Sequence, residues 1–439
     1  KGLEGTKIAP LPLLVAQNGM PSNDFCRAMN MSSSGGIVFN GSKRKYAVAT
    51  ELDFKKDGYV PIPEVQEEIV KCLDCYSKGH TYNPILGGQL KDEPREYEKC
   101  RSAKTRVFCA GSYETILVQR MYLQPFFSLM MQHSRLFQTA VGINMHGLDV
   151  DDLIKEMLSV GDDFFEGDYK GFDTSMLPDI RLMGNSVVYE VCKALGYNEA
   201  ALQQLRCVLA DTLHCNVAVL GVLLETVASL PSGMYGTAEL NSLNGVLMLL
   251  YAWISIFEGT VHEDQFFEDT ATRTYGDDVF QAIRAAMLKK WNNKVYQAFC
   301  EREYGIEFTS ATKSAEMEIS LKISQLSFLK RSFVYCAKRG RWIAPLNKLS
   351  LMKTICYLIE SRAVSFHDQL LDSTISCLRE LFFHISDEEE YDAKRKLFAD
   401  IVAPIVARTP ADLLSLYPTW SEIEESVNPS DVECTQDTV

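Results

Sequence analysis

The chain has 439 residues, more than one hydrophobic core usually organises, so two or three packed subdomains sharing a deep cleft are expected. Apolar residues make up 46% and charged residues 23%, which argues against a disordered chain. The formal net charge of −14 argues against a general nucleic-acid coat protein, although cations clustered in a cleft set a local field of their own.

Thirteen scattered cysteines without a regular framework favour a reducing compartment over a disulfide scaffold. Cys72 and Cys75 form one CxxC, with His80 nearby and Cys100 and Cys109 further on; no second CxxC completes a zinc ribbon, and free thiols are the preferred reading. The first stretch, KGLEGTKIAPLPLLVAQNGMP, lacks the apolar core and cleavage site of a secretory signal, and a start at Lys1 suggests a processed product or a fragment.

In chain order, residues 31–56 are Ser/Gly-rich and then basic, and read as a loop with exposed cations. A helix starts after Pro63 with Val65, Ile69, Cys72 and Leu73 on one face. Residues 87–112 carry Lys91, Arg95, Lys99, Arg101, Lys104 and Arg106 interleaved with Asp92, Glu93, Glu96 and Glu98, which fits a solvated basic loop and an anion-binding stretch equally well. Apolar periodicity predicts helices over 113–137 and 150–160, then a broken strand in FFEGDYKGF. Helical patterns follow over 180–195 and 199–213, then a hairpin-like β-rich section ending in Pro231, Ser232 and Gly233, and one long helix over 237–257. The apolar run 245–257 inside that helix is too short to span a bilayer and suits burial. In TRTYGDDVFQAI, strand formers flank a Gly-Asp pair, predicting a hairpin with its tip at Gly276 and Asp277. From about Tyr335 the pattern is mostly helical, with Leu371, Ile375, Leu378 and Phe382 marking one amphipathic face. Residues 428–439 read as a polar, frayed tail.

Gly-Asp-Asp occurs twice. Gly161 falls where a helix C-cap belongs, so Asp162 and Asp163 read as solvated residues of a helix-to-strand turn. Asp277 and Asp278 instead sit at a hairpin tip, a poor place for two like charges unless a cation lies between them, and Mg²⁺ is the natural partner of such oxygen donors. Asp168, at the end of the FFEGDYKGF strand, can complete a two-metal site with Asp277, at the ~3.5–4 Å metal spacing used for in-line phosphoryl or nucleotidyl transfer.

The order of motifs resembles the RNA-dependent RNA polymerases of picorna-like positive-strand RNA viruses. DYKGFD (168–173) is similar to that family's motif A, PSGMYGTAELNS (231–242) to motif B, and YGDD (275–278) to motif C. YGIEFTSATKSAE looks like the motif D region, FLKR (328–331) like motif E, and KDEPREYEKCRSAKTR (91–106) like the basic motif F. SSSGGIVF departs from the pattern, with Gly36 and Ile37 where the family usually carries Gly-Tyr-Pro.

The resemblance implies an α+β right-hand architecture: an antiparallel palm sheet flanked by helices, fingers, and a mostly helical thumb. It divides the chain into fingers (1–155, with motif F), palm (156–195, motif A), a fingers insertion (196–230), palm (231–335, motifs B to E), thumb (336–427) and a C-terminal tail (428–439). Asp168, Asp277 and Asp278 would be catalytic and hold two Mg²⁺ ions, with Mn²⁺ able to substitute, and Lys313 would protonate the pyrophosphate. Asp173, Ser232, Gly233, Thr237 and Asn241 would bind the nucleotide and its ribose, Lys91, Arg95, Lys99, Lys104 and Arg106 the triphosphate, and Leu329, Lys330 and Arg331 would grip the primer. Implied partners are a single-stranded RNA template, nascent RNA, ribonucleoside triphosphates, a viral protein primer and other replication proteins. The expected location is host cytoplasm, at membrane-associated replication complexes reached through partners, without a direct anchor. The acidic balance then requires cations in the channel and acids outside, as at residues 386–392. A reverse-transcriptase-like DNA polymerase is the rival enzyme, disfavoured by Asp173 where such enzymes carry a bulky aromatic. A silent RNA-binding scaffold is disfavoured by the intact trio Asp168, Asp277 and Asp278.

Overall fold

The hairpin expected at Gly276 forms two strands of a four-stranded antiparallel sheet. A computed structural model describes residues 2–260, 262, 264–311, 316–361 and 364–427. The principal elements are α1 (Pro63–Ser77), β1 (Ile85–Leu90), β2 (Val107–Ala110), α2 (Tyr113–Gln132), α3 (Asp149–Val160), β3 (Asp163–Tyr169), α4 (Pro178–Ala194), α5 (Glu199–Leu213), β4 (His214–Val219), β5 (Val222–Val227), α6 (Thr237–Ile256), β6 (Thr270–Tyr275), β7 (Asp278–Ile283), β8 (Phe308–Thr309), α7 (Lys348–Cys356), α8 (Phe366–Leu381) and α9 (Glu388–Val402). The central sheet runs β6-β7-β3-β8, and a second sheet runs β2-β1-β4-β5.

Strand β3 is buried on both faces because alternate side chains enter different cores. Phe165 and Tyr169 join Trp253, Trp291, Tyr296 and Phe308 on one side, while Phe164 packs with Phe280, Phe328 and the α3 residues Leu153, Ile154 and Met157 on the other. Gly167 lets the first core close: a Cβ there would lie 2.1 Å from the Phe308 ring. Helix α6 packs on α4 and on β6, so the apolar run within it is a core helix. Among the described residues no helix is long and apolar enough to cross a membrane.

The expected face of α1 is buried through Val65, Ile69 and Cys72, joined by Tyr76. Cys75 donates its thiol to the Thr81 carbonyl, and the twelve cysteines among the described residues are free thiols. In α8, Leu371 and Leu378 are buried in a helical core, and Phe382 turns into a neighbouring one with Tyr391 and Ile423.

Two expectations fail. Residues 31–56 are not a loop: Ser34–Gly35 pairs with Phe39–Ser42, and Ala47–Leu52 with Lys55–Pro61. Ala47–Leu52 turns most of its side chains to solvent, Val48 among them, so no core-and-solvent alternation marks the pairing; Lys43 is buried, donating to Ser33 Oγ and the Ser34 carbonyl. The helical C-terminal region is also preceded by a short hairpin, Val334–Cys336 with Arg341–Ile343.

Candidate active site

Strand register brings the catalytic candidates together. Asp168, the sixth residue of β3, lies directly opposite Asp278, the first of β7, and Tyr275 opposite Asp278 closes a two-residue turn around Gly276 and Asp277. Gly276 has φ of +61°, the left-handed conformation such a turn demands. Burial pushes the Asp278 carboxyl up to about 7, the charges of Asp277 and then Asp168 add to this, and Lys330 opposes it. The three carboxylates therefore feel one another, and their all-oxygen donor set suits a hard divalent cation that would relieve the repulsion. Among the described residues no group of three or more His, Cys, Asp or Glu forms a preformed metal cage. Mg²⁺ does not demand one, since it commonly takes one or two carboxylates and completes its shell with water and substrate phosphates.

The substrate-reading candidates form one unit beside the trio. Gly171, at φ +65°, turns the chain after β3 and places Asp173 in the short helix Phe172–Ser175. Asp173 is shifted upward by burial and by Asp277, against the pull of Arg106 and a hydrogen bond from Ser232. Its carbonyl accepts from Leu230 N at 2.8 Å and from Ser229 Oγ at 3.2 Å, tying motif A to the loop before α6. That loop packs on β2: Cys109 N donates to the Ser232 carbonyl at 2.7 Å, and a Cβ on Gly233 (φ +99°) would sit 2.0 Å from the Cys109 carbonyl oxygen. The Thr237 hydroxyl bonds the Pro231 and Met234 carbonyls, so it holds the loop's shape; Asn241 is buried with its Oδ1 lacking a partner.

The basic candidates separate. Arg95, Lys99 and Arg106 line a cleft of about 800 Å³ with Lys330, Lys353 and Tyr357, interspersed with Asp92, Glu93, Glu96 and Glu360. Glu93 holds three of the cations, Arg95 at 3.0 Å, Lys91 at 3.4 Å and Arg106 at 3.7 Å. Lys91 and the exposed Lys104 do not line this cleft. Residues 386–390 are exposed acids and Ser386, with Glu388, Glu389 and Glu390 in the first turn of α9, where the helix dipole favours them.

The primer-grip candidates form a tight turn in which Phe328 and Arg331 exchange backbone hydrogen bonds, with Leu329 and Lys330 both left-handed at φ +53° and +60°. The turn sends Lys330 to the basic cleft, and Leu329 and Arg331 to a larger hollow of about 1130 Å³ that also contains Tyr275. Arg331 is already committed to Glu380 of α8 (3.0 Å) and contacts His146 (3.1 Å). Burial opposes ionisation of Glu380, yet hydrogen bonds from His146 and Arg331 hold its carboxyl down at about 2. Lys313 lies outside the described residues, as does the tail 428–439.

In the first Gly-Asp-Asp, Gly161 caps the C-terminus of α3 as expected, its N–H donating to the Met157 carbonyl at 3.4 Å, but without the left-handed conformation of a glycine cap. Gly161 is extended, with φ −178°, and is needed because a Cβ would lie 2.2 Å from the Ile283 carbonyl oxygen. Lys322 bridges Asp162 at 3.0 Å and Asp163 at 3.1 Å; Asp162 is exposed as expected, whereas Asp163 is half-buried and also accepts from Ser320. Two residues at the second string escaped sequence reading. Glu166, 1% exposed and on the same face of β3 as Asp168, is pushed up to about 7 by burial, accepts from Ser327 N at 2.6 Å, and is raised further by Asp278. Period-two alternation from Asp168 was the available signal. Ser242, which touches the Gly276 turn, carries no such signal.

A family model described as viral RNA-dependent RNA polymerase matches residues 5–402. The chain is similar to the replicase polyprotein of Drosophila C virus (strain EB), with 26% identity over 407 residues, 89% of this chain and 23% of that protein. It is 23% identical over 403 residues to the replicase polyprotein of Cricket paralysis virus, 88% of this chain and 22% of that one. It thus spans less than a quarter of the length of these relatives. Among solved structures, the Sicinivirus 3Dpol RNA dependent RNA polymerase superposes with a TM-score of 0.73 at 20% identity, covering 96% of this chain and 81% of that one, which establishes the right-hand fold.

Proposed function

The chain belongs to the viral RNA-dependent RNA polymerase family, and we infer that it copies an RNA template by two-metal nucleotidyl transfer, joining ribonucleotides to the 3′-hydroxyl of RNA or of a protein-linked primer and so replicating a viral genome. The observation that carries this reading is the opposition of Asp168 and Asp278 across paired strands, with Asp277 at the adjoining turn and the Asp278 carboxyl raised by burial and then by both neighbours.

In the reaction the 3′-hydroxyl attacks the α-phosphorus and pyrophosphate leaves. Two bound Mg²⁺ ions, or Mn²⁺ in their place, would lower the hydroxyl pKa and neutralise charge on the triphosphate. Asp168 and Asp277 are the residues to hold them, with Asp278 in support. Arg95, Lys99, Arg106 and Lys330 receive the triphosphate in their cleft, Arg95 and Arg106 exchanging Glu93 for phosphate oxygens through bidentate contacts and the lysines acting as point charges. Lys91 and Lys104 act from outside the cleft wall. Asp173, oriented by Ser232, accepts the ribose 2′-hydroxyl. Gly233, Thr237 and Asn241 shape that pocket, Leu329, Lys330 and Arg331 abut the primer strand, and Lys313 donates a proton to the leaving pyrophosphate.

This reading divides the chain into fingers (1–155 and 196–230), palm (156–195 and 231–335), thumb (336–427) and tail. Its partners are template and nascent RNA, ribonucleoside triphosphates, a protein primer and other replication proteins; through these it reaches membrane-associated complexes in the host cytoplasm. Primer extension on an RNA template with Mg²⁺ tests it. Wild type should incorporate ribonucleotides and Asp277→Asn should not; equal activity in the variant refutes the site, and a preference for deoxynucleotides favours a DNA polymerase.

A further inference from the structure

We propose that Ser242 is a positioning residue that locks the catalytic turn to the helix bearing the substrate-reading loop; the inference rests on the polymerase reading above. Ser242 lies on the second turn of α6 and is fully buried. Its hydroxyl donates to the Ala238 carbonyl at 2.6 Å, which commits the proton and leaves a lone pair to accept the Gly276 N–H at 2.9 Å. Its carbonyl accepts from the Thr274 hydroxyl at 2.8 Å, so one residue grips the turn on both sides of Tyr275. Gly245, one turn on, permits the approach: a Cβ there would stand 3.3 Å from Thr274 Cγ2.

The grip matters because Gly276 precedes Asp277 and is held at positive φ, and the orientation of its peptide sets where the Asp277 carboxylate projects. The same helix begins five residues before Ser242 at Thr237, whose hydroxyl fixes the Pro231 and Met234 carbonyls of the loop that contacts Asp173. The first two turns of α6 therefore join the ribose-reading loop to the metal-binding turn through hydrogen bonds, and Ser242 is the link that reaches the turn. The half-buried Gly276 amide, deprived of its acceptor, turns toward another, and the turn shifts with it. The expected consequence lies in the alignment of bound metal, with substrate binding little affected.

The test is steady-state primer extension by the full chain across a Mg²⁺ titration, with hydrogen exchange of the peptide containing Gly276. Ser242→Ala should lower kcat about tenfold, raise the Mg²⁺ concentration needed for half-maximal rate several-fold, leave KM for ribonucleotides within about twofold, and expose the Gly276 amide to exchange. Ser242→Thr, which keeps the hydroxyl, should restore kcat and protection. Thr274→Val, which removes the second bond and leaves Ser242 in place, should move kcat the same way by less, and serves if Ser242→Ala fails to fold. Parental kcat and Mg²⁺ dependence in Ser242→Ala, or a rise in KM alone, overturns the proposal while the polymerase reading stands. A wild-type chain that extends no primer overturns both.

Discussion

Replacing Asp278 by Asn should stabilise the metal-free protein at neutral and alkaline pH while impairing catalysis. Asp278 is shifted from an ordinary value of 3.8 to about 7, first by burial and then by Asp277 and Asp168. Its folded-state pKa is raised, so between those values the folded chain binds a proton that the unfolded chain has released, and the penalty for ionising the buried carboxyl grows as pH rises through that window. At ~1.4 kcal/mol per pH unit, the displacement sets a ceiling of about 4 kcal/mol, reached above about pH 7. Asn removes the charge and keeps the shape. Thermal melts in chelator should show Asp278→Asn more stable than wild type by up to that amount at about pH 8, with the gap narrowing at about pH 5 and closing below about pH 4. Added Mg²⁺ should shrink the gap at high pH, because the ion stabilises the ionised wild-type site. A gap that does not change with pH, or a wild type more stable than the variant at high pH in chelator, would refute a raised Asp278 carboxyl at this site.

Asp173→Ala should reduce the ribonucleotide over deoxyribonucleotide ratio of kcat/KM by at least ~10-fold, as the acceptor for the 2′-hydroxyl is lost; an unchanged ratio in single-nucleotide incorporation removes Asp173 from that role. Gly233→Ala meets both a left-handed backbone and the Cys109 carbonyl, so it should cost ~1–3 kcal/mol in chemical denaturation and raise KM for nucleotides as the loop lifts from β2. Arg331→Met should strand Glu380 beside His146 and cost ~2–3 kcal/mol, with Glu380→Gln in the same chain recovering part of it. Because the Glu380 carboxyl is held down at about 2, the contribution of this contact should be complete above about pH 4.5 and fall away toward pH 2, which a pH series of urea unfolding would show.

The sheet that carries the candidate site was legible because its signals are local. Thr272, Thr274 and Val279 flank a glycine that must adopt positive φ, and the hairpin follows with its tip at Gly276 and Asp277. The helices before and after it show apolar faces that the cores bury. Residues 31–56 were opaque because Ala47–Leu52 has no buried residue and Lys55–Pro61 buries only Gly58 and Pro61, leaving no alternation to read. Gly161 is the expected helix C-cap, but the sequence could not show that a side chain there would also meet the Ile283 carbonyl of a distant strand. The links among Arg331, Glu380 and His146, between Glu166 and Ser327, and between Ser242 and Gly276 all join residues far apart in the chain, and single-sequence periodicity carries no information about such pairs.

The central claim is that the later Gly-Asp-Asp and Asp168, rather than the earlier string, hold the reacting metals. Anomalous diffraction from crystals containing Mn²⁺, primed RNA template and an incoming ribonucleoside triphosphate tests it directly. Two peaks about 3.5–4 Å apart between Asp168 and Asp277 are predicted. A metal bound instead at Asp162 and Asp163, or no peak beside Asp277 in a complex with nucleotide in place, would contradict it.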